Sequence, residues 1–516
     1  MSLRLYNTRT RSVEPFAPLE PGHVRIYVCG LTPSAEAHLG HARSFMFFDV
    51  LRRFLTHRGM RVTYVQNVTD IDDRSIAAAL ATGEPWQDIV DGYYASFKRS
   101  MTRLHVIEPD HEPRATRYVP EIVAMIGALV ERGNAYVVED GVYFSVRSFA
   151  RYGRLSGRNV DELLIGARIA ADEKKEDPLD FALWKFAKPD EPSWPSPWGA
   201  GRPGWHIECS AMSHALLGEP FDIHGGGYDL IFPHHENEIA QTESLYAPPM
   251  ANVWMHGGLL LFDGRKMSKS LGNFEPLAAL LDRHDPQAIR MLFLQAGYRK
   301  PLNFTEDSIA GATSGLRRLQ AAYDALRAAP APAVGGVAPA ADPAVERFRA
   351  RFLAALDDDL NTSGAVSVLF DLAGRTNDVL AAGSGSAAAA FLHEALAVLG
   401  LSPLERTHAP APVPATVETV LATSDELAGV TIVGPADAEA TLPADTVARL
   451  KALVPAESVH LNGQSKSHAV SAVIEARLRA KRRRDFGLAD ALRDALKAIG
   501  VTVIDRKEGA SWTVDA

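Results

Sequence analysis

The stretch His23-Val24-Arg25-Ile26-Tyr27-Val28-Cys29-Gly30 decides the fold of this chain. Its valines and isoleucine occupy alternate positions, which is the pattern of a β-strand. An amphipathic helical segment follows from His38 to Arg58, and a second apolar run extends from Val62 to Val68. A strand, a helix and a strand of these lengths predict a right-handed βαβ unit. The sequence therefore predicts an α/β fold built on a parallel sheet.

The rest of the chain divides at stretches rich in Pro, Ala and Gly. The segment from about 110 to 225 contains a predicted hairpin, Ala135–Val138 against Val142–Phe144. We therefore interpret this segment as an insertion into the sheet domain. Residues 328–343 have the composition of a flexible linker. We expect a sheet domain at 1–315, an α-helical bundle at 316–400, a motif-poor linker segment at 401–464 and a small α+β unit at 465–516.

Composition excludes several classes of protein. Two cysteines among 516 residues rule out a disulfide framework and suit a reducing cytoplasm. The N-terminus has no apolar signal segment, and no run approaches the roughly 18 apolar residues of a membrane span. A formal net charge of -9 argues against non-specific coating of nucleic acid but allows a local basic face. We therefore expect a cytoplasmic protein without a membrane partner.

Both cysteines lie in settings that are typical of metal ligands. Cys29 ends the apolar strand, and Cys209 lies in the run GWHIECSAM. His234 and Glu238 are four residues apart, so they would share one face of a helix opened by Pro233. Two cysteines, a histidine and a glutamate make a plausible four-ligand zinc set. The alternative is a closed structural zinc site, although glutamate is rarer in such sites.

A candidate nucleotide motif, His38-Leu39-Gly40-His41, begins the helix after the first strand. Helix N-termini present N–H groups and the positive end of the helix dipole to phosphate. Gly40 would let an adenine ring approach the backbone, and both histidines could donate to phosphate oxygens as charge develops. An ordinary helix start is the alternative for this tetrapeptide alone.

A second candidate motif, Lys266-Met267-Ser268-Lys269-Ser270, carries two ammonium groups in a compact loop. Such a loop could clamp a triphosphate and draw charge onto leaving pyrophosphate, although alone it could be an ordinary solvated loop. In this order, the pair resembles the signature motifs of class I aminoacyl-tRNA synthetases. The resemblance implies catalytic roles for His38, His41, Lys266 and Lys269. It implies ATP binding by these four and by Gly40, Met267, Ser268 and Ser270.

Further segments resemble the cysteinyl-tRNA synthetase family within that class. They are YVCG at Tyr27–Gly30, NVTDIDD at Asn67–Asp73, GWHIECSAM at Gly204–Met212, DIHGGGYDLIFPHHENE at Asp222–Glu238 and DDDLNT at Asp357–Thr362. The resemblance covers nearly the whole chain and is weakest over about 401–462. It implies a Rossmann-like catalytic domain with an insertion, then a helical bundle, then a C-terminal unit that contacts the tRNA anticodon region.

The family resemblance also implies a reaction and its ligands. L-Cysteine would be activated by ATP to cysteinyl-adenylate and transferred to the 3′ end of cysteine tRNA, with Mg²⁺ as the partner of ATP. A zinc ion that selects the substrate thiolate would be held by Cys29, Cys209, His234 and Glu238. The pocket for the amino and carboxylate groups of cysteine would be lined by Thr32, Thr69, Trp205 and Asp229. Further histidines could join networks around the site or be ordinary structural residues: His206, His224, His235 and His256.

Zinc selection would explain how the enzyme avoids serine without an editing domain. Zinc binds thiolate strongly and lowers the pKa of the thiol that it binds, whereas the hydroxyl of serine is a poorer donor. A hydrophobic pocket alone separates such near-isosteres poorly. We therefore expect no editing domain.

The run Arg477–Arg484 carries six cations on a predicted helix. In the C-terminal unit, the resemblance implies that Arg482, Arg483 and Arg484 contact tRNA phosphates. A solvated helix face is the alternative. Trp512 could stack on a base or fill a small core.

The segment Leu31–Ala37 departs from the family pattern, in which a Tyr and an acidic or amide residue are common. The sequence therefore does not predict how Pro33-Ser34-Ala35-Glu36 contacts the substrates. The pair Thr32-Pro33 also resembles the sequence of a relative of this family, the ligase that joins cysteine to an amino sugar in mycothiol synthesis. That relative has the same zinc site and nucleotide motifs but lacks the C-terminal RNA-binding part, so it is the alternative hypothesis here. A non-catalytic zinc module would need neither nucleotide motif.

Overall fold

The computed structural model describes residues 2–159, 174–246, 248–266, 275–328 and 342–401, with 416–420, 431–435, 474, 477–478, 481, 486–497, 501–506 and 509–514. The chain divides into two compact units, Met1–Glu405 and Arg406–Ala516. None of the helices in the described ranges is both long enough and apolar enough to cross a membrane.

The strands, in chain order, are β1 (Arg4–Asn7), β2 (Ser12–Pro15), β3 (His23–Leu31), β4 (Arg61–Val68), β5 (Ala135–Val138), β6 (Gly141–Phe144), β7 (Phe181–Phe186), β8 (Gly201–Pro203), β9 (Phe221–Gly227), β10 (Ala251–Gly257), β11 (Leu260–Phe262), β12 (Arg265–Lys266), β13 (Leu302–Phe304), β14 (Thr416–Val420), β15 (Thr431–Pro435), β16 (Val501–Arg506) and β17 (Gly509–Val514).

The α-helices are α1 (Leu39–His57), α2 (Asp73–Thr82), α3 (Trp86–Arg103), α4 (Val119–Glu131), α5 (Trp205–Leu217), α6 (Glu236–Leu245), α7 (Leu277–Arg283), α8 (Pro286–Leu294), α9 (Glu306–Arg327), α10 (Pro343–Asp357), α11 (Thr362–Gly374), α12 (Thr376–Ala381), α13 (Gly385–Val398) and α14 (Phe486–Lys497).

A four-stranded parallel sheet in the order β10-β9-β3-β4 forms the centre of the larger unit. Helix α1 connects β3 to the parallel β4, which is the predicted βαβ unit. The predicted helix bounds are close to those observed, since His38 is the N-cap residue of α1 and Arg58 its C-cap residue. In a parallel sheet all carboxyl ends meet at one edge, and ligands bind there. This edge brings together the ends of β3, β4, β9 and β10.

Alternate residues of β3 face two different cores, because side chains on a strand point to opposite faces. Val24, Ile26 and Val28 belong to the core that contains α1 and the helical bundle. Tyr27 and Cys29 belong to the core that contains the insertion. Cys29 therefore lies on the face of the sheet opposite α1.

The insertion predicted between the two halves of the sheet has its own antiparallel sheet, in the order β5-β6-β7-β8. The predicted hairpin is β5 against β6, with Tyr136 opposite Tyr143 and Val137 opposite Val142. Helices α4 and α5 pack between this sheet and the central one, and α5 leads directly into β9. The insertion thus positions Cys209, which lies on α5.

Helices α10 to α13 lie in the range 316–400, for which an α-helical bundle was predicted. Apolar residues at near-helical spacing in this range are buried: Leu356, Leu360, Val366, Leu369 and Leu372. The interior of the predicted linker, residues 329–341, lies outside the described residues.

The smaller unit contains a four-stranded sheet in the order β14-β15-β17-β16. Strand β15 pairs in parallel with β17, with Ile432 opposite Ala510. Strands β14 and β15 come from the segment 401–464, for which the sequence predicted a linker. That segment therefore contributes half of a sheet whose other half comes from the C-terminal 465–516.

Candidate active site and metal centre

Cys29 and Cys209 meet in the interior between the central sheet and the insertion. Cys29 lies near the carboxyl end of β3 and Cys209 near the start of α5, and both are buried and free of disulfide bonds. Their Sγ atoms are 3.6 Å apart. The insertion thus brings Cys209 to Cys29, as a shared metal site requires.

His234 and Glu238 complete the predicted donor set. The two side chains are buried, and Nε2 of His234 lies 3.0 Å from Oε1 of Glu238. The same carboxylate oxygen lies 3.3 Å from Sγ of Cys29. Helix α6 begins at Glu236 and not at Pro233, but the backbone is already helical at His235, so the predicted i, i+4 relationship is kept. One ligand atom from each of Cys29, Cys209, His234 and Glu238 lies within 4.8 Å of the others, an arrangement that could hold a metal ion.

The charges of this cluster are strongly perturbed. Burial, and then the neighbouring Cys209 and Glu238, raise the pKa of the Cys29 thiol well above its usual value. Burial opposes ionisation of Cys209 too, but hydrogen bonding to Cys29 and His234 lowers its pKa to about 6. Burial would also lower the pKa of His234, yet the Glu238 charge raises it to about 10. Several acidic groups in one buried space need a positive charge, which a bound metal ion supplies.

A second group of histidines surrounds the donor set. Nε2 of His224 lies 2.8 Å from Oε2 of Glu238, and Nε2 of His235 lies 3.3 Å from Sγ of Cys29. With Cys29 and Glu238 these two histidines form an overlapping group that also meets the distance requirement for a metal site. The sequence analysis placed them only among possible network residues. The one available signal was the buried strand β9, which carries His224 among glycines.

Outside the donor set, hydrogen bonds between histidines orient the candidate ligands. Nδ1 of His206 lies 2.9 Å from Nδ1 of His234, so the Nε2 atom of His234 is the one directed at the cluster. Nδ1 of His235 lies 2.8 Å from Nε2 of His256, and Nδ1 of His256 lies 2.8 Å from Oγ1 of Thr8. Ligand imidazoles are commonly fixed in this way through their second nitrogen. The predicted network histidines therefore take part in networks.

Of the residues predicted to line the cysteine pocket, Trp205 contacts the cluster directly. The Trp205 ring stacks on His234 with centroids 4.4 Å apart, and it is 43% exposed, so one face remains open to a ligand. Thr69 is buried directly after β4, and its Oγ1 accepts from Nδ2 of Asn67 at 3.3 Å. Thr32 is partly buried directly after β3, and its carbonyl accepts from the N–H of Ser34 at 2.8 Å.

Asp229 lies in the exposed turn Tyr228–Leu230 that follows β9. Burial of His38 lowers the pKa of its ring, and the negative charge of Asp229 partly opposes that shift. Asp229 therefore lies near the nucleotide motif. A Cβ at Gly227 would lie 2.6 Å from Oδ1 of Asp229, so a larger residue there would displace this exposed carboxylate.

The family-atypical segment Leu31–Ala37 contacts helices α3 and α7 near its end. Oε2 of Glu36 accepts from the hydroxyl of Ser96 on α3 at 2.8 Å. The carbonyl of Ala37 accepts from the N–H of Leu277 at the start of α7. Glu36, the acidic side chain of this segment, thus links the segment to α3.

The His38-Leu39-Gly40-His41 motif caps α1. Nδ1 of His38 accepts from the N–H of Gly40 at 3.1 Å, and Nδ1 of His41 accepts from the N–H of His38 at 3.2 Å. The two rings stack with centroids 3.8 Å apart. Burial lowers the pKa of His38, and burial together with His38 lowers the pKa of His41 to about 3. Both rings are therefore neutral near pH 7, and with Nδ1 accepting, each carries its proton on Nε2.

The second nucleotide motif is described only at its start. Lys266 ends β12, with its backbone opposite Leu261 on β11. Met267, Ser268, Lys269 and Ser270 lie outside the described residues, as do Arg482, Arg483 and Arg484 of the predicted tRNA contact. Trp512 lies on β17.

Arg43 joins the first motif to the strands that lead to the second, and sequence reasoning missed it. This buried side chain of α1 donates to the carbonyl of Leu259 at 2.7 Å and to that of Lys300 at 2.5 Å. A charged residue on the apolar face of a predicted amphipathic helix was the available signal. Arg43 thus holds the helix of His38 and His41 against the start of β11.

Family models match three parts of the chain. Residues 15–314 match "tRNA synthetases class I (C) catalytic domain", residues 351–404 match "DALR domain", and residues 466–512 match "Cysteinyl-tRNA ligase anticodon binding domain".

Individual proteins are similar over the full length. A protein of Alkalilimnicola ehrlichii named cysteine–tRNA ligase is 44% identical over 511 residues, covering 99% of each chain. A protein of Stutzerimonas stutzeri with the same name is 45% identical over 514 residues, again covering 99% of each. Among solved structures, Mycobacterium tuberculosis methionyl-tRNA synthetase with methionyl-adenylate superposes with a TM-score of 0.54 at 15% identity, covering 73% of this chain and 89% of that one. This last similarity supports the fold alone.

Proposed function

This chain belongs to the cysteine–tRNA ligase family of class I aminoacyl-tRNA synthetases, and on that premise we propose how its residues carry out the reaction. A carboxylate oxygen of L-cysteine attacks the α-phosphorus of ATP, and the bond to pyrophosphate breaks. A ribose hydroxyl of the terminal adenosine of cysteine tRNA then attacks the carbonyl carbon, forming the ester and releasing AMP. The observation that carries the proposal is the Cys29, Cys209, His234 and Glu238 cluster at the sheet edge that also presents His38 and His41.

We propose that the cluster holds zinc. Two sulfur atoms, an imidazole nitrogen and a carboxylate oxygen are ligands that zinc accepts, and their mutual distances fit one ion. The charge balance supports the fit, because two thiols and a carboxylate are acidic groups that share one buried space. Zinc bound there would take the substrate's thiolate as a further ligand, which distinguishes cysteine from serine.

The residues around the cluster position the rest of the substrate. His206 and His224 fix His234 and Glu238 through the hydrogen bonds at 2.9 Å and 2.8 Å. We propose that the open face of Trp205, together with Thr32 and Thr69, receives the carboxylate end of cysteine. The exposed carboxylate of Asp229 is suited to the ammonium group, since opposite charges attract strongly at the rim of a low-dielectric site.

The nucleotide motifs supply the electrostatics of the first step. The Nε2–H groups of His38 and His41 are directed to phosphate oxygens in this proposal, and the N-terminus of α1 adds its positive dipole. Lys266 and Lys269, with Met267, Ser268 and Ser270, would neutralise charge on the leaving pyrophosphate, and Mg²⁺ would accompany ATP. Such groups position the reactants and stabilise charge without forming a covalent intermediate on the protein.

The amino-sugar ligase alternative is not favoured. The chain matches the anticodon-binding model at residues 466–512, and its relatives named cysteine–tRNA ligase cover its full length. Because charged tRNA is consumed by protein synthesis, we also propose the cytoplasmic location that was predicted from the sequence.

Amino-acid-dependent exchange of pyrophosphate with ATP tests the proposal, measured with each standard amino acid in turn. Only cysteine is expected to support exchange, and only cysteine is expected to charge total tRNA. Exchange with serine at a comparable rate would contradict the selection of a thiolate. Joining of cysteine to an amino sugar without tRNA charging would replace the proposed function by the alternative.

A further inference from the structure

The segment His234–Glu238, which contains two of the proposed metal ligands, also holds a loop of the insertion. Glu236 and Asn237 lie between His234 and Glu238, and they contact the loop Tyr152–Arg158, called here the insertion loop. The buried Glu236 carboxylate accepts from the backbone N–H groups of Gly153 at 2.9 Å, Ser156 at 2.8 Å and Leu155 at 3.4 Å. The hydroxyl of Tyr152 lies 2.5 Å from Oδ1 of Asn237. One short segment therefore fixes both the metal site and the insertion loop.

The outer surface of the insertion loop is basic. Arg154 and Arg158 are exposed, and the guanidinium of Arg158 lies 4.4 Å above the Phe232 ring. Arg11 is exposed and packs against Gly157, where a Cβ would lie 1.7 Å from Nη2 of Arg11. We call Arg11, Arg154 and Arg158 the arginine platform.

The platform cations lack acidic partners in the part of the chain that the structure describes. No ion pair there involves Arg11, Arg154 or Arg158, whereas the neighbouring Arg151 pairs with Glu243 at 3.1 Å. The Glu236 charge beneath the loop is buried and is satisfied by backbone N–H groups. Three exposed arginines therefore lie on the insertion loop or pack against it, in a chain whose net charge is -9. Such a surface attracts a polyanion that the rest of the chain repels.

We propose that the arginine platform binds phosphates of the tRNA strand close to its 3′ end. This inference rests on the proposed function. The amino acid is small, so a ribose that receives its carbonyl carbon has to come within a few ångströms of the metal cluster. The insertion loop rests on Phe232, Glu236 and Asn237, which flank His234, and so lies beside that route. Guanidinium groups form bidentate hydrogen bonds to phosphate, and each contact displaces counterions from the RNA.

Glu236 acts in this account as a positioning residue. Three N–H groups donating to one buried carboxylate fix the backbone of the loop, so that the cations at Arg154 and Arg158 keep their spacing. Preorganised cations lose less conformational freedom on binding than flexible ones. The segment His234–Glu238 would thus fix the position of the platform relative to two of the proposed metal ligands.

The test compares the full-length protein with the double variant Arg154→Ala/Arg158→Ala. Lys188→Ala is the matched control, because Lys188 is an exposed cation of the same insertion. The double variant is expected to raise the KM for tRNA by about tenfold and to reduce the salt slope of tRNA affinity by about 0.7–0.9 per lost contact. Cysteine-dependent pyrophosphate exchange uses no tRNA and is expected to stay at the wild-type rate. Lysine at both positions should restore part of the salt slope.

Each other outcome identifies what failed. An unchanged KM for tRNA and an unchanged salt slope, in a wild-type protein that charges tRNA, would overturn the platform alone. A raised KM for ATP in the exchange reaction would show instead that the arginines serve the phosphates of ATP. Wild-type protein that neither exchanges nor charges would overturn the proposed function itself.

A second variant tests the positioning role. Glu236→Gln removes the charge that the loop N–H groups share, and it is expected to raise the KM for tRNA while the bound metal stays at about one ion per chain. Loss of metal and of exchange together would show that Glu236 supports the metal cluster, and the positioning role would be overturned.

Discussion

The Sγ atoms of Cys29 and Cys209 lie 3.6 Å apart in a buried cluster, although 180 residues separate them in the chain. Neither thiol has a disulfide partner, and the carboxylate of Glu238 lies 3.3 Å from one of them. A buried space with this concentration of acidic groups is stable when it holds a cation. The account of substrate selection depends on that cation.

Replacing one sulfur should therefore affect metal binding more than folding. Cys209→Ser is expected to lower bound zinc well below about one ion per chain and to slow cysteine-dependent exchange by about 10²-fold or more, because serine is a poor zinc ligand. Metal analysis and circular dichroism check the two expectations. Ser213→Ala, also buried on α5, is the control and should keep its zinc. A Cys209→Ser variant that retains its metal would contradict the assignment of this ligand.

The neutral state of His41 predicts a pH effect on stability. Its pKa is about 3 in the folded protein because of burial and His38, against a reference of about 6.5 when unfolded. The unfolded state therefore binds more protons below pH 6.5, and the free energy of unfolding falls as pH decreases from that value toward 3. At pH 5.5 this single group should cost at most about 1.4 kcal/mol relative to pH 7.5.

Urea unfolding at both pH values, for wild type and for His41→Asn, isolates the contribution of His41 from those of the other buried histidines. The difference in unfolding free energy between pH 7.5 and pH 5.5 should be smaller in His41→Asn. An equal difference in both proteins would show that His41 is not held neutral.

Lys269 is expected to stabilise the transition state of activation more than the bound state of ATP. Lys269→Ala should reduce the rate of adenylate formation by about 10²-fold or more, the scale of one preorganised electrostatic contact. Single-turnover measurements separate this rate from ATP affinity. A change in apparent ATP affinity alone would refute the assignment.

The smaller unit is expected to serve tRNA and not adenylation. Because β14 pairs with β15 and β15 pairs with β17 in one sheet, removal of Arg406–Ala516 is a cleaner truncation than removal of 465–516. Exchange should persist in the truncated protein, while tRNA charging should collapse through weaker binding. Equal loss of both activities would show that the unit supports the catalytic core.

Neutralising Arg482, Arg483 and Arg484 together should lower the salt slope of tRNA affinity by about 0.7–0.9 for each phosphate contact that is lost. Filter binding over a series of salt concentrations measures the slope. An unchanged slope would favour the alternative of a solvated helix face.

Much of the fold and of the donor set could be predicted because the signals were local or scarce. Alternation along β3 placed Cys29 on the face opposite Val28, and His38 marked the start of α1 by the residue type and spacing of its motif. Two cysteines in 516 residues leave few choices of sulfur ligands. A site that requires rare residue types, such as a metal site with cysteine ligands, can therefore be predicted from the sequence.

Other features depend on contacts that no local pattern records. His256 contacts Thr8, and His224 contacts Glu238, although the members of the first pair are 248 residues apart in the chain and those of the second pair lie on different elements. Likewise β15 pairs with β17 from distant parts of the sequence, so a motif-poor segment was interpreted as a linker. The role of Glu236 beneath the insertion loop also becomes visible only when the three N–H groups converge on it.

The central claim is that the substrate thiolate binds the metal held by Cys29, Cys209, His234 and Glu238. X-ray absorption at the zinc edge tests it directly, on the protein alone, with cysteine and with serine. The account predicts one more sulfur neighbour of zinc when cysteine is added and no change when serine is added. An unchanged number of sulfur neighbours with saturating cysteine would contradict it.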